Sequence, residues 1–565
     1  MPDLTREPSA TESQKPPRNW EPLLWGAIAL LLAVEIPLTL RRPLTPDCIL
    51  FDLEWRTWCR GGLPYRDIFE TNPPGTMWVH GLVRTWMGTS SEALRALDLA
   101  VMLAAIAGLA IWVKRLGQSR IVALLAAFLL IWFYGMQSIW CQCQRDGWML
   151  AISLAAMELR WRRLQQLSGP SLGWSGWLSA VLEGCLWGCA VWIKPFVMVP
   201  GIFAWGASLK LLPDRKLALA DWSGLMLGGL LIGGMGSAWM IQSGLWEHFW
   251  EVNLEWNGDY LASRRLTWRI LLALAVHFGP WFLLYLLTPA CLLLWGMDRS
   301  RGVPSVEAAR LLWGAFTCGW FVQGLLLQHT HAYVHVPLVM VAVVVVAATP
   351  TVIQARLWPV AFGLGVLGIL AMHPLARFEH LGSWWQCVAG PVTPELRMEV
   401  RGPLDRIYPG GPDLLELQDV GEFLQAQGVS DGQVTCYSFW TMPLYRDLDL
   451  KPPCRFICPR IYANRFFVGR RAEIAQLLRD SPQKYVVTDL VLDGFTEEEA
   501  NAVGPRGPNA PPPLFAGKDM PGIYPWSHPV VFRSGRYLVH EIQGELGEFS
   551  SQSPKQVRES TPNSH

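Results

Sequence analysis

Long apolar runs separated by short polar segments recur from residue 23 to residue 372, and then the alternation stops. Eleven stretches read as membrane spans: 23–40, 95–113, 121–139, 147–161, 174–193, 196–212, 219–241, 268–296, 309–327, 333–349 and 357–372. Beyond them the period changes. DLLELQDVGEFLQAQG (413–428) and RRAEIAQLLRD (470–480) have helical spacing, while QVTCYSF (433–439), RFICPRIY (455–462) and KYVVTDL (484–490) read as short buried strands. PVVFR and RYLVHEI (529–542) suggest a closing hairpin. The predicted fold class is an α-helical polytopic membrane bundle of about 11 transmembrane helices, followed by a small α/β domain with a largely parallel sheet.

One stretch breaks the pattern early. YRDIFETNPPGTMW (65–78) sets an Arg, an Asp, a Glu, an Asn and two prolines between apolar segments. In the following residues Trp78, Leu82 and Trp86 recur every fourth position, with His80 and Arg84 between them. That spacing predicts an amphipathic helix started by Pro73 and Pro74 and lying in the interface, too short to cross about 30 Å of hydrocarbon.

Charge supplies an orientation. Lys114, Arg115, Arg120, Arg160, Arg162, Arg163, Lys210, Arg215, Lys216, Arg299, Arg301, Arg310 and Arg356 fall on one side of the spans. The other side has only Arg145, Lys194, Arg264, Arg265 and Arg269, with Arg41 and Arg42 as an exception. The richer side is expected to be cytoplasmic. The divisions expected are a disordered cytoplasmic tail (1–20), a transmembrane domain (21–372) with an outer-face loop (41–94), a connector (373–411), a separable extracytoplasmic α/β domain (412–545) and a disordered tail (546–565). The location implied is the plasma or inner membrane. Composition agrees: 51% of residues are hydrophobic, only 16% are charged, and many of the 31 tryptophans end apolar runs, as interfacial Trp does. A net charge of +1 gives no reason to expect a nucleic-acid partner. The 12 cysteines lack paired metal-ligand spacing, so whether a divalent metal is needed is left open.

On the outer face this topology collects Asp47, Asp52, Glu54, Asp67, Glu70 and Asn72 from the first loop, and Arg145 and Asp146 from WCQCQRDG. Lys194 joins them from WIKPF, and His329, His331, Tyr333 and His335 from QHTHAYVHVP. Ionisable groups at the edge of a bilayer are costly and usually line a cavity with a task.

The order of these features resembles a known family. An acid follows the first span and a glycine, Gly61, comes fourteen positions after Asp47. Next come YRD, a PPG that opens an apolar helix, and GTSSEALRALD leading into the next span. Residues 25–350 are in this respect similar to the GT-C superfamily of polyprenyl-phosphate-sugar glycosyltransferases, in the branch of protein mannosyltransferases, lipid A aminoarabinose transferases and Rgt-type enzymes. The resemblance implies a polyprenyl-phosphate sugar as donor, a lipid, glycan or protein acceptor, and inverting transfer at the outer face. It implies Asp47 as general base and Asp146 as the acid of the second loop. Arg145, Lys194 and His335 are candidates to take the charge of the leaving phosphate, and Glu70, Asn72, His331 and Tyr333 complete the expected substrate-binding set. The lipid A branch carries a Lys where Asn72 stands, so another cation must serve here. Two other readings are a transporter or flippase, and a silent scaffold whose α/β domain binds a partner.

Overall fold

The structure is a computed structural model and describes residues 20–166, 173–212, 214–262, 267–297, 304–328, 331–349, 381–401, 411–493 and 524–543. The expected span 357–372, His329 and, Trp20 apart, the two tails lie outside these residues. In chain order the helices are α1 (Glu21–Arg41), α2 (Pro46–Cys59), α3 (Gly75–Trp86), α4 (Ser91–Arg115), α5 (Arg120–Met136), α6 (Arg145–Gln166), α7 (Gly173–Ile193) and α8 (Met198–Ser208). They continue as α9 (Arg215–Gln242), α10 (Trp246–Glu251), α11 (Asn257–Ala262), α12 (Trp268–Phe278), α13 (Leu283–Met297), α14 (Pro304–Phe321) and α15 (Ala332–Ala348).

Among the described residues five helical stretches are long and apolar enough to cross a membrane: α1, α4, α7, α9 and the α12–α13 stretch Trp268–Met297. They number six if α5 and α6, which meet at 119°, form one bent span. The other helices fall below that length or hydropathy, so the expected count of 11 is not reached on this criterion. The chain is a helical membrane protein. Its valine-rich α15 is buried on every side and forms the centre of the bundle core, with Trp112, Leu130, Trp313 and Phe316 around it. Glycines set another contact: a Cβ on Gly184 of α7 or on Gly228 of α9 would fall on a carbonyl oxygen of the facing helix, so the two backbones touch directly.

The segment 41–94 is not an open loop. Thr45 caps α2, its hydroxyl accepting from Cys48 N, and Pro46 occupies the first turn, where a missing N–H costs nothing. The α3 helix forms where the proline pair predicts it, with Leu82 and Trp86 59% and 80% exposed. Its polar residues point inward. His80 Nδ1 lies 2.8 Å from Asp52 Oδ1, and Arg84 Nε donates to the same oxygen at 2.8 Å. Asp52, grouped from sequence with the acids of the first outer loop, is the buried clamp between α2 and α3. Burial raises its pKa, but His80 and Arg84 outweigh this and hold it at about 2. Arg41 and Arg42, anomalous in the charge pattern, are occupied by protein: their guanidinium groups donate to the carbonyls of Cys387 and Val400, and Arg41 also pairs with Glu92.

The C-terminal sheet has four strands, β1 (Val434–Cys436), β2 (Tyr485–Asp489), β3 (Val530–Ser534) and β4 (Tyr537–Glu541), in the order β1-β2-β4-β3. Helix Leu414–Ala426 precedes it and helix Arg471–Arg479 leads into β2. The closing hairpin forms as expected. The sheet is mixed: β1 and β2 are parallel, whereas β4 is antiparallel to both β2 and β3. Residues 455–462 are not a strand. Pro459, unable to donate to a ladder, opens a helical turn that runs on to Phe466. The apolar face of the sheet does not close on itself. One continuous core joins Val434, Tyr437, Phe456, Val486 and Tyr537 to Ile49, Leu53 and Phe69 of the first polar segment and to Val252 and Trp256. The division at residue 412 thus follows the chain pattern but cuts through shared packing.

Candidate active site

Between the bundle and the C-terminal sheet lies a cavity of about 500 Å³, within the range of sites for small organic ligands. Its floor is α2. Asp47, Leu50 and Phe51 recur at helical spacing and line it. Asp47 stands in the first turn, where the helix dipole favours a negative charge. Gln144 Nε2 donates to Asp47 Oδ2 at 3.3 Å and so orients the carboxylate.

Glu70, Thr71 and Asn72 form one edge. Glu70 Oε1 accepts from the backbone N–H groups of Thr71 and Asn72 at 2.7 and 2.8 Å and from the Asn72 amide. Tyr65, left-handed at φ 69°, donates its hydroxyl to the Asn72 carbonyl at 2.8 Å. These bonds fix the ETN turn before the prolines. Gly75 then packs on the backbone of Trp192 and Ile193, where a Cβ would collide. The PPG sequence thus seats α3 on the end of α7. Glu54, buried on α2 and outside the cavity lining, is a neighbour of Glu70 and Arg145. Burial and the charge of Glu70 push its carboxyl well above the usual range, and Arg145 pulls the other way.

Arg145, the first residue of α6, faces the cavity. It is 8% exposed, and its guanidinium lies 5.4 Å from the centre of the Phe51 ring. Its Nε and Nη1 are buried with no hydrogen-bond partner among the described residues. Glu70, Asp146 and Asp47 supply negative charge around it. Asp146 and Lys194 form a separate buried pair behind the cavity, Nζ lying 2.8 and 2.9 Å from the two carboxylate oxygens. The Lys194 ammonium also sits 5.5 Å from the centre of the Tyr333 ring. His331 and Tyr333 line the cavity with their rings stacked at 5.1 Å. His335, one turn further into α15, does not line it; its Nδ1 meets the Tyr285 hydroxyl at 2.7 Å inside the bundle. Of the residues singled out from sequence, Asp47, Glu70, Asn72, Arg145, His331 and Tyr333 share the cavity, while Asp146, Lys194 and His335 lie behind its wall.

The opposite wall was not foreseen. Phe439, Trp440, Cys458, Arg460, Tyr462 and Arg465 of the C-terminal region close the cavity, with Trp140 facing Phe439 and Trp440 at 6.0 and 5.9 Å. Their only sequence signal was an aromatic and basic cluster in SFWT and PRIYANRFF, which no local period marks as a site. Among the described residues no group of three or more His, Cys, Asp or Glu side chains is placed to hold a metal ion.

This helical bundle, with helices α2 and α3 on one face and a small sheet closing over them, is the GT-C fold. ArnT from Cupriavidus metallidurans bound to undecaprenyl phosphate matches 95% of this chain and 100% of its own, with a TM-score of 0.52 and 14% identity. ArnT in the apo state gives 0.50 and 15% over 92% and 97% of the two chains. The oligosaccharyltransferase AglB from Archaeoglobus fulgidus, in complex with an inhibitory peptide and a dolichol-phosphate, gives 0.48 and 12% over 84% and 70%. At these identities the likeness is one of fold. No family model matches the sequence, and neither does any curated protein.

Proposed function

We propose that the protein is an integral membrane glycosyltransferase that moves a sugar from a polyprenyl-phosphate donor to an acceptor hydroxyl at the outer membrane face, with inversion. The supporting observation is that one cavity holds both an oriented carboxylate, Asp47, and a buried arginine, Arg145, with two unpartnered guanidinium nitrogens. Asp47 takes the proton of the acceptor hydroxyl as its oxygen attacks the anomeric carbon. The bond from that carbon to the phosphate oxygen breaks, and Arg145 takes up the charge developing on the phosphate. The cation expected near Asn72 is on this reading Arg145. The carrier lipid is inferred from the fold shared with an ArnT that binds undecaprenyl phosphate.

The test is release of undecaprenyl phosphate by purified protein from a panel of undecaprenyl-phosphate sugars, with a membrane extract supplying acceptor. Asp47→Asn keeps the shape and the Gln144 contact but removes the base. Turnover should fall about 10²–10⁴-fold at equal abundance, the usual range for a general base. Wild-type turnover by Asp47→Asn would remove Asp47 from that role, and no release from any donor would remove the reaction.

A further inference from the structure

Two cysteines lie directly beneath the proposed catalytic pair and take no part in the chemistry above. Cys48 follows Asp47 in the first turn of α2, and Cys143 precedes Gln144 and Arg145 in the turn that opens α6. They are 1% and 4% exposed and share an apolar cluster with Leu44, Val83, Leu94 and Trp148. Both are free thiols in the structure, and the Cys48 thiol lies 3.5 Å from the Cys143 carbonyl oxygen and 3.2 Å from the Thr45 hydroxyl. Cys143 is a non-glycine residue held at φ 54°, the left-handed region that a side chain adopts only under constraint.

We propose that Cys48 and Cys143 are a covalent modification site, a disulfide that ties the turn carrying Asp47 to the turn carrying Gln144 and Arg145. Such a tie would hold Cys143 in its strained conformation and fix the register between base and cation. The outer-face placement in the proposed function puts the pair in a disulfide-permissive compartment, and the inference rests on that placement. The oxidant required is a protein disulfide of the thiol–disulfide exchange class. The Cys48 thiolate attacks one of its sulfurs, the other leaving as a thiolate, to give a mixed disulfide; the Cys143 thiolate then attacks the Cys48 sulfur and releases the oxidant sulfur bound to it. Two protons leave the cysteine pair, and two electrons reduce the oxidant to a dithiol. Cys48 suits the first attack: its hydrogen bond with Cys143 lowers its pKa against the effect of burial, whereas burial raises that of Cys143. Because both sulfurs are buried once folding is complete, the bond forms while the two turns assemble.

The experiment is a thiol map of the full-length protein. Membranes are quenched in acid, and the protein is denatured and alkylated with iodoacetamide without reductant, then digested. The expected result is a Cys48–Cys143 linked peptide pair, about 2 Da lighter than the sum of its parts, that separates on reduction. Cys48→Ser should make Cys143 fully alkylatable in the same unreduced sample. Alkylation of both cysteines in unreduced wild type, or a link from either one to a different cysteine, would overturn the proposal. The map reads no sugar transfer, so its failure and a failure of the proposed reaction are separate results.

Discussion

Helix α6 carries buried arginines at both ends, and their surroundings differ in kind. Near its C-terminal end Arg160 and Arg163 are 1% and 3% exposed and meet two carboxylates. Arg160 Nε donates to Glu183 at 2.8 Å and its Nη1 to Ser208 at 2.7 Å and Asp221 at 3.2 Å, while Arg163 Nε donates to Asp221 at 2.8 Å and its Nη2 to Glu183. Two cations and two anions cancel, and the cluster joins α6 to α7, α8 and α9. At the N-terminal end the nearest carboxylate in sequence, Asp146, is taken up by Lys194, and Arg145 keeps two nitrogens unbonded against a cavity. A buried charge with its partners holds helices together. Arg145, with carboxylates nearby but two buried donors unbonded beside a cavity, bears a cost that the acceptor oxygens of a ligand would relieve.

The largest expected effect is at the paired end. Glu183→Gln strips one partner from both arginines and should cost about 3–5 kcal/mol, read as a fall in the thermal midpoint of detergent-solubilised protein. Turnover per folded molecule should be unchanged, since the cluster touches no cavity residue. A loss below about 1 kcal/mol would show that the cluster is solvated and would break the contrast.

A smaller effect follows from the clamp between α2 and α3. The Asp52 pKa is about 2 in the folded protein against 3.8 for the ordinary group, so its stabilisation is present above pH 4 and is lost as pH falls through 2. The shift is worth about 2 kcal/mol. Between pH 4.5 and pH 2.5 this group should account for about 1.5 kcal/mol of the fall in wild-type stability, the remainder being lost below pH 2.5, and Asp52→Asn should remove that part of the difference. An acid-insensitive clamp would mean that α2 is seated by its apolar face alone.

These particulars show what the sequence made legible. Periodicity located the apolar helices, the proline-started α3, the C-terminal hairpin and the strands at 434 and 485, because each is decided by neighbours within a few residues. Asp47 and Arg145 could be brought near one another because each adjoins the end of an apolar run. Asp52 misled, because its partners His80 and Arg84 are 28 and 32 residues away and only folding turns a loop acid into a buried clamp. The strand expected at 455–462 failed for a local reason, Pro459, which the apolar flanks outweighed in the reading. Arg160 and Arg163 were counted among the basic residues of the side expected to be cytoplasmic, and both are buried against Glu183 and Asp221. The aromatic wall from Phe439 to Phe467 was invisible because it faces Asp47 from nearly four hundred residues away along the chain.

The contrast between the two ends of α6 rests on the claim that Arg145 is there to receive an anion. Binding of undecaprenyl phosphate to purified protein, wild type against Arg145→Met, tests that claim most directly, with the thermal midpoint measured on the same samples. The arginine's charge-assisted hydrogen bonds to a phosphate predict affinity at least about ten-fold weaker in the variant, with a midpoint little changed, because two buried donors without hydrogen-bond partners have been removed. Equal affinity in the two proteins, or a collapse of the fold on losing Arg145, would place it with Arg160 and Arg163 as a structural cation and contradict the account.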